Sequence, residues 1–73
     1  MSIHIDIVDL PATLRQMRIA RGVTQAEAER MTGMAGATLR DVENGGADPT
    51  IDTLRKLVRL YGGKLIIEVN DNG

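Results

Sequence analysis

Glycine punctuates this chain at Gly22, Gly33, Gly45-Gly46 and Gly62-Gly63, and helix-starting residues lie between the stops. No helix can run far between such breaks, so the sequence can only build a bundle of short helices. Asp9 is placed to cap the first, with Pro11 inside its opening turn, where a missing N–H costs nothing. Leu14, Met17, Arg18 and Arg21 follow at helical spacing until Gly22 closes the helix as a left-handed cap. Thr24-Gln25-Ala26-Glu27 reads as a capping box, opening a second helix that Gly33 stops early. A third helix is expected from about Gly36 to Asn44, burying Leu39 and Val42. Thr50, after Pro49, caps a fourth whose apolar face is Ile51, Leu54, Leu57, Val58 and Tyr61. Arg55, Lys56 and Arg59 lie toward its C-terminal end, where the helix dipole favours cations.

The two ends read differently. Ile3, Ile5 and Ile7 alternate with Ser2, His4 and Asp6, the period of a half-buried strand. Lys64 to Val69 repeats the pattern, with Leu65, Ile67 and Val69 on one face. The expected fold is mainly α: a single domain over residues 1–73, with four helices across about 11–62 and short terminal strands at 2–8 and 64–70. The strands are expected to pair in a small antiparallel sheet, within the chain or across a two-fold axis. A lone two-stranded ribbon is marginal in water, so pairing between copies through Leu65, Ile66, Ile67 and Val69 is the favoured arrangement.

A 73-residue chain has a marginal core and usually needs a further source of stability. It has no cysteine, which excludes disulfides and thiolate metal sites, and the single His4 cannot hold a metal alone. No metal or cofactor is therefore expected, and oligomerisation is the remaining route. Tyr61 is the one aromatic residue, so the core must be aliphatic, with Met17, Met31 and Met34 as filler. His4 is read as a surface residue. No apolar run approaches the length of a membrane span and no secretory leader is visible, so the cytoplasm is the expected compartment. Catalytic constellations are missing too: no Cys nucleophile, no Ser or Thr matched to a histidine, no phosphate loop. The chain is not expected to be an enzyme.

Residues 24–45 carry the most specific signal: a short helix, a Gly-centred turn and a second helix. Together with Arg18, Gly22, Thr24-Gln25, Gly33, Met34, Thr38-Leu39, Val42, Glu43-Asn44-Gly45, Pro49 and the Leu54, Leu57, Leu60 face, it resembles the Cro/C1-type (XRE) helix-turn-helix family over roughly residues 12–63. The resemblance implies a lambda-repressor-like fold and binding to double-stranded DNA. It also implies a buried ion pair between Arg18 and Glu43, and a phosphate contact at Gln25. Ala35, Gly36, Ala37, Arg40 and Asp41 match the exposed face of the recognition helix, with Thr38 beside them.

The chain departs from the family in three places. Ala35, Gly36 and Ala37 have no donors for base edges, leaving Arg40 as the long cationic donor, with Gln25 and Thr38 as further contacts and Ala37 facing a thymine methyl. The loop Gly46-Ala47-Asp48 is acidic where relatives carry Lys or Arg. Ala28-Glu29 replaces Leu-Ala, and Glu29 is expected to swing outward or to pair with Arg30 or Arg40. Nine basic residues against ten acidic ones, a net charge of −1, is also low for a protein that neutralises phosphates.

The function implied is a sequence-specific transcriptional regulator, a homodimer on an inverted-repeat operator. The short C-terminal strand in place of a fifth helix resembles the antitoxin branch of the family, of the HipB sort, which implies a strand paired across the dimer and a toxin partner, while a phage Cro-like repressor fits the same length. The alternative is a protein-binding module that keeps the scaffold and holds a partner protein.

Overall fold

The computed structural model describes residues 9–34 and 38–66. Four helices follow in order: α1 Leu10–Arg21, α2 Gln25–Thr32, α3 Leu39–Glu43 and α4 Ile51–Leu60. Each begins where local chemistry places it. The Asp9 carboxylate accepts from the Ala12 N–H, Thr38 caps α3 through the Asp41 N–H, and Thr50 caps α4 through the Thr53 N–H. At α2 the capping box is complete: the Glu27 N–H donates to the Thr24 hydroxyl at 3.1 Å, and the Thr24 N–H donates back to the Glu27 carboxylate at 3.2 Å. The hydrogen bond from the Thr24 hydroxyl, followed by that from its N–H, holds the Glu27 carboxyl below its ordinary range.

α2 packs on α4, and α1 packs on α3. Leu14, Ala28, Leu39, Val42, Leu54, Leu57, Val58 and Tyr61 form the buried core, with Leu10, Met17, Val23, Met34, Leu60 and Leu65 packed around it. Thr32 is also buried, and its hydroxyl donates to the Ala28 carbonyl at 2.7 Å, so no polar atom there is orphaned. The chain after α4 returns over this core. A β-carbon on Gly63 would lie 2.8 Å from the Met17 methyl and 3.2 Å from Val58, so a larger residue there would require the flexible Met17 side chain to shift and Val58 to give slightly.

Four expectations need correction. α3 is shorter than the expected span of about Gly36 to Asn44, because Thr38 is its N-cap and Asn44 its C-cap. Ile51, expected in the core, is 55% exposed: a side chain in a first turn leans toward the helix N-terminus, past the packed surface. Met31 is 63% exposed because it lies about 100° round α2 from the buried Thr32. The predicted small sheet is not found among the described residues. Lys64, Leu65 and Ile66 are irregular, since a strand exists only through ladder bonds and no partner strand lies among the described residues. Residues 2–8 and 67–70, including Ile67 and Val69, lie outside the described residues.

Leu57 is fully buried at the centre of the core. Leu57→Ala should cost about 2–5 kcal/mol, a large part of the roughly 5–15 kcal/mol a domain possesses. Urea unfolding followed by circular dichroism should show the midpoint fall sharply or the transition vanish; a loss under about 1 kcal/mol would mean the site collapses around the gap.

Candidate nucleic-acid interface

The centre of the site is a buried ion pair. From α1, Arg18 donates through Nε to Glu43 Oε2 at 2.7 Å and through a terminal nitrogen to Glu43 Oε1 at 3.1 Å. Its other terminal nitrogen donates to the Val23 carbonyl at 2.9 Å, in the link between α1 and α2. The side chains are 12% and 1% exposed. This is the pair the family resemblance implied, in bidentate form. Burial is the strongest influence on Glu43 and pushes its carboxyl up. Hydrogen bonds from Arg18 and Gln25 and the charges of Arg18 and Arg15 together outweigh it, leaving Glu43 below its ordinary range. The hydrogen bond to Glu43 likewise raises Arg18.

Gln25 joins this cluster from α2, its side-chain amide donating to Glu43 Oε1 at 3.0 Å. An amide nitrogen carries two donors, so one remains. The N–H groups of a helix's first turn lack intrahelical acceptors, and Gln25 stands at that end of α2. Beside it opens a cleft of about 550 Å³ lined by Arg15, Arg18, Ile19, Val23, Thr24 and Gln25. Arg15, like Arg21, Arg55, Lys56 and Arg59, reads from sequence as a cation on a solvated helix face. Its three-residue spacing from Arg18 sets both on one side of α1, but Arg21 shares that spacing, so the sequence holds no signal that separates Arg15 from Arg21.

The turn between α2 and α3 begins at Gly33, whose φ of +65° an L side chain rarely adopts. Of the expected recognition residues, Thr38 and Asp41 face each other: the Thr38 hydroxyl accepts from the Asp41 N–H at 3.3 Å and donates to the Asp41 carboxylate at 3.0 Å. Arg40 is exposed and forms no ion pair among the described residues. Ala35, Gly36 and Ala37 lie outside the described residues. Glu29 pairs with neither Arg30 nor Arg40. Its carboxylate instead accepts from the backbone N–H of Leu39 at 2.7 Å, at the start of α3. The sequence signal missed this because a main-chain donor leaves no mark on residue type.

The fold and this motif define a helix-turn-helix protein, and the family comparison agrees: the helix-turn-helix family HTH_3 matches residues 14–66. The chain belongs to this family, the Cro/C1-type (XRE) helix-turn-helix proteins, which are DNA-binding transcription regulators. No curated protein and no solved structure matches it. No helix among the described residues is long and apolar enough to cross a membrane.

Glu43→Ala strands the Arg18 guanidinium and should cost about 3–5 kcal/mol. The pH dependence follows from the lowered carboxyl. Its contribution is complete above the ordinary value near 4.5 and disappears as pH falls through the lower folded value. Thermal melts should therefore show stability falling below about pH 4.5 in the wild type, with a shallower fall in Glu43→Gln; identical acid profiles would reject the pair as a source of stability.

Tyr61 lies in the field of the same pair, and its buried hydroxyl has no hydrogen-bond partner among the described residues. Burial first, then the Glu43 charge, pushes its phenol up to about 12. A raised phenol favours folding below the ordinary value near 10, and that contribution is lost as pH rises toward 12. Tyr61→Phe removes an unpaired buried group, so stability should hold or rise by on the order of 1 kcal/mol. A loss of that size in chemical denaturation would show that the hydroxyl has an acceptor in solution.

Proposed function

We propose that this protein is a sequence-specific DNA-binding regulator that acts in the cytoplasm as a homodimer on an inverted-repeat operator, one α3 per half-site. One observation carries the reading: a buried Arg18–Glu43–Gln25 cluster fixes the N-terminus of α2 beside a cleft that Arg15 lines. Helix N-termini and arginines are phosphate ligands, and a phosphate held there would set α3 against the groove. Within this reading Arg15 and Gln25 grip the backbone, Arg40 is the base-reading donor, and Thr38 and Asp41 shape the start of α3. Ala35, Gly36 and Ala37 complete the face toward the groove. Dimerisation runs through the C-terminal segment, where Leu65 lies against the core and Ile66 is 72% exposed, with Ile67 and Val69 beyond. An antitoxin role with a toxin as second partner, or a Cro-like repressor role, fits this arrangement.

A second reading is favoured by specific observations. Ile19, Met31, Ile51 and Ile66 are exposed, and Glu29 and Asp41 bring acid to the start of α3. These suit a scaffold that holds a protein partner and binds DNA weakly or not at all.

A gel shift on the region upstream of the protein's own gene separates them. DNA binding should weaken steeply with salt; Arg15→Ala should flatten the slope by about one unit of log affinity per log salt, whereas Arg40→Ala should cost about 1–3 kcal/mol on the operator and relax specificity with the slope little changed. No shift at about 50 mM salt, with a folded protein, would overturn the DNA reading in favour of the partner-binding one.

A further inference from the structure

Two hydrogen bonds join α2 to α3, and their spacing matches. Gln25 donates to Glu43 at 3.0 Å, and the Leu39 N–H donates to Glu29 at 2.7 Å. Positions 25 and 29 are one turn apart on α2, as are 39 and 43 on α3, so the two bonds form rungs about 6 Å apart along each helix. Two rungs stop α3 from sliding along α2 and from pivoting about a single contact. The first is fixed by the buried ion pair. The second rests on Glu29 alone.

Glu29 also ends its own helix. Its carbonyl accepts from the Gly33 N–H and from the Met34 N–H, the latter at 3.2 Å. The same residue therefore closes α2 with its main chain and opens α3 with its side chain. α3 has five residues, too few to hold a helix by propagation, so its pose is set by its contacts. Leu39 is fully buried, and without the carboxylate its N–H loses the acceptor the structure gives it.

We propose that Glu29 is a positioning residue: it sets the pose of the recognition helix through the Leu39 N–H, at the cost of a negative charge on the end of α3 that meets a duplex. The DNA half of this proposal rests on the function argued above. An anionic acceptor suits a helix N-terminus. The same charge opposes phosphates where the first residues of a recognition helix approach the bases. Glu29 exchanges overall affinity for a defined α3, and with it for discrimination between sequences.

The test uses Glu29→Gln, which keeps an acceptor at the same reach without the charge, Glu29→Ala, which removes the acceptor, and Glu29→Asp, which keeps the charge one methylene short. Hydrogen exchange of the Leu39 amide is read by NMR. Affinity is read on a duplex that the wild type selects from a random pool and on a random duplex of equal length. Glu29→Gln should keep Leu39 protection and bind both duplexes about three- to tenfold tighter at low salt. Glu29→Ala should exchange Leu39 about tenfold faster and lose at least about fivefold of the ratio between selected and random duplex. Glu29→Asp should exchange like Glu29→Ala and gain no affinity. Unchanged Leu39 exchange in both Ala and Asp variants overturns the positioning role, and no gain in Glu29→Gln overturns the charge effect. If the wild type selects no duplex, the DNA reading has failed, whereas Leu39 exchange in Gln against Asp still decides whether Glu29 holds α3.

Discussion

Three helices meet on the two oxygens of Glu43. Arg18 reaches it from α1, Gln25 reaches it from α2, and Glu43 itself is the last residue of α3. The third Arg18 nitrogen holds the Val23 carbonyl, so the link between α1 and α2 is fixed by the same group. A buried ion pair is weak evidence of net stability, because apolar residues of similar volume often serve as well. What it supplies here is direction. Apolar contacts among Leu14, Leu39, Val42 and Leu57 bring the helices together but tolerate rotation and small slides. A bidentate guanidinium–carboxylate contact does not, and the second lone pair of Oε1 takes the Gln25 amide only in one arrangement.

That directional contact matters most for α3. Its five residues bury Leu39, Val42 and Glu43 and leave Arg40 and Asp41 outside. With so few residues, no long apolar stripe exists to define its axis, and the polar contacts at its two ends take over that role. One end is the Glu43 cluster; the other is the Glu29 carboxylate on the Leu39 N–H. The alanine at position 28 is fully buried, and its small side chain leaves room for Leu39 and Val42 in the same core.

The parts of this fold that were legible in the sequence are those decided within four residues. Asp9, Thr24 and Thr50 cap as their side chains dictate, and Gly22 and Gly33 end helices as left-handed residues. The Arg18–Glu43 pair, 25 positions apart, was legible only through family resemblance, because nothing local joins the two. Contacts of generic groups were not legible. Gln25 can donate to any acceptor, and which one it meets depends on where the end of α3 comes to rest. Glu29 was read as a charge in search of an opposite charge, yet a helix N-terminus offered a backbone donor closer by. Met31 and Ile51 fit a helical period but lie off the packed stripe or beyond its end, which periodicity alone does not resolve. The terminal alternation promised a ladder, and alternation states which face is apolar without supplying a partner strand.

The charge distribution then explains how a chain of net charge −1 fits its family. Arg15 and Arg18 stand on α1 beside the start of α2. The acids nearest α3 have partners within the protein: Glu43 is buried on Arg18 and Gln25, Glu29 is half-buried on the Leu39 N–H, and Asp41 bonds Thr38 at the surface. Internal use does not cancel their charge at long range, except for Glu43, which Arg18 neutralises. With Arg18 neutralised by Glu43, the uncompensated positive charge lining the α1–α2 cleft is that of Arg15, while Glu29 and Asp41 keep negative charge at the start of α3. On the proposed DNA reading, a duplex would meet attraction at its backbone first and resistance at its groove second. In the dimeric reading proposed above, a modest affinity per protomer would be offset by two copies acting together on one duplex, since the second contact is made at high effective concentration.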